Sequence, residues 1–147
     1  MEQSAFIRKE MDGVDEAIRL AKKAAKTTLD LQDFFNPPKD SEKESPLDDF
    51  TRDTFKYFDA NSAVRQLESL QLQLGDLKEK LIEVKIENDR MLYAGGYLAF
   101  IDETIARIFL KNTLCKLLAQ NENTPAIIED SIRELEGLRA RLQELNA

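Results

Sequence analysis

Between Ala60 and Met91, small and apolar residues recur at alternating three- and four-residue steps, and this pattern limits the fold more than any other feature of the chain. With Ala60 at position a of a heptad, Ala63, Leu67, Leu70, Leu74, Leu77, Leu81, Val84, Asn88 and Met91 occupy the following d and a positions in turn. A stripe of that period is continuous only on an α-helix, and its length implies a helix that must lay one face against other helices. Polar residues such as Arg65, Glu68, Lys78, Glu79 and Lys85 flank the seam. Leu72, Ile82 and Ile86 lie outside it and widen the apolar face, so a bundle of three or four helices competes with a two-stranded dimer. Asn88, the one polar residue on the seam, either sits solvated near the helix end or fixes register, since a buried amide is satisfied only when its partner is aligned.

The rest of the chain also reads as helix. Residues 1–35 place Ile7, Met11, Val14, Ile18, Ala21, Ala25, Thr28 and Phe35 at helical spacing, forming an amphipathic helix with an Ala-rich middle. Asn36-Pro37-Pro38 and the charged, Ser-rich stretch that follows predict a flexible linker over 36–46. Residues 47–147 are then expected to form a helical bundle or coiled-coil hairpin. Its parts are a short aromatic helix at 47–59, the long helix at 60–94, a strongly apolar helix at 97–120 and a last helix at 125–145. Gly95 and Gly96 mark the reversal between the second and third of these. Thr124 and Pro125 read as an N-cap and first helical residue. The fold class predicted is all-α, with about four helices plus the short aromatic one.

Composition fits few, long elements: the 147 residues are 33% charged, with only five Gly and four Pro. A net charge of −7 argues against a surface built for phosphate backbones, so nucleic acid is not an expected partner. No run of some 18 to 20 apolar residues occurs, since Asp102, Glu103, Arg107 and Lys111 interrupt the most hydrophobic segment. A soluble, cytoplasmic protein is expected, and membrane partners are not. One cysteine, Cys115, excludes an internal disulfide and fits a reducing compartment.

Histidine is absent, which removes the commonest general base and metal ligand, and with it the Glu-x-x-His pairs of di-iron bundles. The acidic pairs Asp102-Glu103 and Glu129-Asp130 are adjacent in sequence and project in different directions from a helix. The prediction is therefore no enzyme, no catalytic residues, no metal and no cofactor. The basic cluster Arg19, Lys22, Lys23 and Lys26 shares its helix with Glu10, Asp12, Asp15, Glu16, Asp30 and Asp33 and is read as ion pairing.

Two functional readings remain. In the first, the chain is an adaptor, assembly subunit or chaperone-like factor that binds other proteins and copies of itself. Its interaction residues would be Leu67, Leu70, Leu74, Leu77, Leu81, Val84 and Asn88 on the seam, with Phe50, Phe55 and Phe58 in the aromatic segment unless that segment docks on the rest of the domain, which four aromatics left in water would favour. In the second, it is a monomeric four-helix bundle that binds a peptide or small ligand, or that lies at a membrane surface through the apolar helix.

Overall fold

The computed structural model is an all-helical bundle of four helices, α1 (Glu2–Phe35), α2 (Pro46–Arg90), α3 (Ala99–Leu117) and α4 (Thr124–Asn146). It describes residues 2–35, 46–117 and 123–146, with side chains over 4–31, 62–115 and 123–146. The expected linker lies outside these residues except for its last member. Pro46 belongs to α2 as its first residue, where a missing N–H costs nothing and the fixed φ favours helix.

Each helix runs antiparallel to the ones it touches. Lys9 reaches Glu87 at 3.1 Å and Thr27 donates to Gln73 at 2.8 Å, which pairs the start of α1 with the end of α2. Asp15 accepts from Arg139 at 2.8 Å, pairing α1 with α4, and Glu134 accepts from Arg107 at 2.8 Å, pairing α4 with α3. α1 packs on α2 and α4, α3 packs on those same two, and among the described residues the backbones of neither diagonal pair come within 8 Å of each other. The topology is up-down-up-down.

The core follows from the predicted stripes. In one half of the bundle, Val14, Ala17 and Ala21 of α1 meet Leu77, Leu81 and Val84 of α2, Ile101, Ile105 and Ile108 of α3, and Leu135, Leu138 and Leu142 of α4. In the other half, Ala24, Leu31, Ala63, Leu70, Leu74, Cys115 and Ile128 form a second, thinner cluster. Burying each large aliphatic side chain contributes roughly 1.5–3 kcal/mol, and this burial rather than intrinsic propensity holds such long helices in place. The Ala stripe of α1 brings it close to its neighbours, and at Gly13 an added Cβ would stand 2.7 Å from Val84 Cγ2.

Several boundaries differ from expectation. The segments 47–59 and 60–94 form one 45-residue helix, because no glycine or proline interrupts the chain between Leu47 and Gln73. That helix ends at Arg90, and residues 91–95 form a turn. Gly95 takes a left-handed φ of 79°, and the Gly96 amide donates back to the Met91 carbonyl at 3.1 Å, the six-to-one bond of a Schellman-type reversal. The α2–α3 hairpin expected at Gly95-Gly96 thus forms. At α4 the Ile127 amide donates to the Asn123 carbonyl, so Asn123 is the cap and Thr124 the first helical residue, one position earlier than predicted.

Candidate interaction faces

The heptad seam is spent on the chain's own core. Leu70, Leu74, Leu77, Leu81 and Val84 are all buried, and Leu67 is half-buried against the second cluster. The expectation that these side chains face another chain is corrected accordingly. Three further helices supply the apolar cover that a second or third coiled-coil strand would otherwise provide.

Asn88 is buried and is satisfied within the α2–α3 hairpin. Its side-chain amide donates to the Leu98 carbonyl at 3.0 Å and to Asp102 at 3.1 Å, while its oxygen accepts the Leu98 amide at 3.0 Å. Tyr97 donates its hydroxyl to the other Asp102 oxygen at 2.6 Å, a bond that raises the phenol above its ordinary pKa. Asn88 is therefore not solvated at the helix end, and its bonds tie two helices of one chain together through the backbone at Leu98. Beside it, Glu10 is 1% exposed and one carboxyl oxygen finds no hydrogen-bond partner among the described residues. Burial, with the nearby charge of Glu87 acting in the same direction, raises its pKa to about 8. Burial likewise raises the Cys115 thiol to about 11, which leaves it protonated and unreactive at neutral pH.

Phe50, Phe55 and Phe58 belong to the first turns of α2, and their side chains lie outside the described set. The backbone places this segment apart from the bundle. The Thr27–Gln73 contact sets Phe35, the end of α1, level with about residue 65 of α2. At 1.5 Å per residue, residues 46–62 carry α2 roughly 25 Å beyond that level. The start of α4 and the end of α3 come no further, since Ile128 and Cys115 share the cluster of Leu70 and Leu74.

A groove of about 550 Å³ opens between α1 and α4 near the same end of the bundle. Ala25, Leu29 and Ile132 form its apolar part, and Lys22, Lys26, Arg133 and Glu129 surround it. Leu29 is 49% exposed. Arg133 is engaged by Asp130 within α4, and Arg19 by Glu16 within α1, the one member of the basic cluster whose expected ion pairing is seen among the described residues. The groove was not apparent in the sequence, although Lys22, Lys26 and Leu29 follow one another at helical spacing. Its other wall is more than 100 residues away in the chain, and only the α1–α4 contact assembles it.

Other apolar side chains face outward: Leu72 is 71% exposed, Leu110 64% and Tyr93 96%, with Ile82, Ile86 and Leu114 less so. Among the described residues, no helix is long and apolar enough to cross a membrane, and no group of three or more His, Cys, Asp or Glu side chains is placed to hold a metal ion. Fold and faces together define a four-helix bundle with one overlong helix. Comparison with family models, with curated proteins and with solved structures finds no match.

Proposed function

We propose that this chain is a non-enzymatic interaction protein, an adaptor or assembly subunit that binds other proteins through helix faces left over when its own bundle is complete. The observation that carries this reading is the length of α2. A helix that only served the bundle would end near Ala63, where the second core cluster ends, yet α2 begins at Pro46. The extra turns hold Phe50, Phe55, Tyr57 and Phe58 in a stretch of thirteen residues, Leu47 to Asp59. Aromatic residues supply large contact area for little conformational entropy and dominate binding energy at protein interfaces.

The interaction residues are accordingly reassigned within the same reading. Phe50, Phe55 and Phe58 remain, and Leu67 to Val84 act as the frame that holds them out. The test is affinity enrichment from native extract with the full chain and with a Phe50→Ser, Phe55→Ser, Phe58→Ser variant, alongside the self-association of the purified protein. A partner or a self-complex lost in the variant, with helicity unchanged, is the expected result. Identical binding by both chains would overturn the assignment.

A further inference from the structure

We infer that the projecting amino-terminal part of α2 docks into the α1–α4 groove of a second copy of this chain, reciprocally, to give a two-fold symmetric dimer. This rests on the interaction reading above and names the partner and both surfaces.

The first argument is register. Continued backward from Ala60, the seam positions of α2 are Lys56, Asp53 and Asp49, all charged. Phe50, Phe55 and Phe58 fall outside that set. The apolar series of residues 46–62 is therefore not an extension of the bundle's own core face but a separate one, with a different helix to meet.

The second argument is charge. Within 46–59 stand Asp48, Asp49, Asp53 and Asp59 against Arg52 and Lys56, an excess of two negative charges. The groove presents Lys22, Lys26 and Arg133 around an apolar floor against Glu129 and against Asp130, which pairs with Arg133, an excess of one positive charge. An amphipathic helix with an acidic border laid in an apolar groove with a basic border is a recurring recognition mode, and complementary rims set orientation and speed association. Two projecting segments paired with each other would instead set acid against acid.

The third argument excludes the chain's own segment as occupant. α2 is unbroken from Pro46 to Arg90, so residues 46–62 continue away from the bundle along its axis and cannot turn back onto it. In a second copy the geometry closes. Antiparallel register sets the groove, at Lys22 to Leu29 of α1, level with about residues 71–78 of α2. The aromatic segment is centred some twenty residues earlier, about 30 Å along the axis. A dyad midway between them, near Ala63, brings each segment to the other copy's groove. The contact then occurs twice, which favours a closed dimer over an open chain.

The experiment is light-scattering chromatography of the full chain over a wide concentration range, at low and high salt, with circular dichroism of every variant. The wild-type chain is expected to be a dimer that weakens with salt. Phe55→Asp with Phe58→Asp, and separately Lys26→Glu with Arg133→Glu, should each raise the dissociation constant by at least about tenfold while leaving helicity intact. Mixing the two variants should restore a weaker heterodimer, since one segment and one groove remain intact between them, a result that misfolding does not produce. A dimer indifferent to Lys26→Glu with Arg133→Glu would overturn the proposal, as would a wild-type monomer at every concentration. A monomer that loses a different protein partner when Phe55 and Phe58 are changed would overturn the self-docking alone. A monomer whose binding is untouched by those changes would remove the interaction reading as well.

Discussion

α2 is a single helix with two unlike halves. From Ala63 to Asn88 its seam is filled by α1, α3 and α4, and the long side chains of Leu70, Leu74, Leu77 and Leu81 are almost wholly removed from water. From Pro46 to about residue 62 none of the described helices runs beside it, and the positions that would continue the seam are charged. The same secondary structure thus answers to two demands: in the bundle, the period of the apolar residues matches the neighbours, while beyond the bundle it does not. Helix formation alone says little about what a helix is for, whereas a change of apolar register along an unbroken helix marks where one set of contacts stops and another begins.

The largest effect should come from the in-bundle half. Leu77→Ala removes a fully buried side chain from the middle of the larger core cluster and should cost about 3 kcal/mol, read as a lower midpoint in urea denaturation. The paired substitution Phe55→Ser with Phe58→Ser, measured where the chain is dilute and monomeric, should move the midpoint by less than about 0.5 kcal/mol. Equal losses from the two would erase the distinction between the halves.

What could be read from the sequence, and what could not, divides along the same helix. The seam was legible because apolar residues at heptad spacing demand helical neighbours, and the reversal at Gly95-Gly96 because a left-handed residue there needs glycine. The union of 47–59 with 60–94 was not, because the aromatic residues clustered at 47–59 read as a short helix of their own although nothing at Asp59 stops a helix. The partner of Asn88 was equally hidden. A buried amide announces that it needs a ligand, but the Leu98 backbone becomes available only once the turn has formed. The α1–α4 groove requires knowing which helices are neighbours, which periodicity on one helix cannot supply.

The end of the bundle beside Asn88 sharpens the contrast between matched and unmatched positions. Asn88 has its hydrogen bonds, whereas one carboxyl oxygen of Glu10, equally buried, finds no partner among the described residues. The folded-state pKa of Glu10, about 8, lies above its ordinary value of 4.5, so the folded chain holds a proton that the unfolded chain has released. Stability from this group is fully present below pH 4.5 and is lost as pH rises through about 8. Lys9, Glu87 and Asp102 face the same carboxyl, and Lys9 opposes the shift. Glu10→Gln removes this dependence. Relative to wild type, the variant should gain on the order of 2 kcal/mol between pH 5 and pH 9, less than the full linkage value, because the carboxyl borders a groove open to water. Denaturation curves at the two pH values give the difference directly, and a constant offset between the two proteins would show that Glu10 ionises as it does in water.

The smallest effect tests how tightly α1 lies on the in-bundle half of α2. Gly13 and Gly137 are both interior to helices, and replacing either with Ala should gain up to about 1 kcal/mol from backbone propensity. At Gly137 nothing stands within 4 Å of the new Cβ, so that gain should appear whole, as a rise in melting temperature of about 3 °C. At Gly13 the new Cβ meets Val84 Cγ2 at 2.7 Å, and Val84 is a stiff, buried, β-branched side chain that cannot swing aside. Overpacking there costs about 1–3 kcal/mol, which exceeds the propensity gain, so Gly13→Ala should lower stability by about 1 kcal/mol. Opposite signs for one chemical change at two sites would locate the close approach at the α1–α2 contact. If both variants were stabilised, α1 would have room to move off the seam, and the packing that separates the two halves of α2 would be looser than Gly13 and Val84 imply.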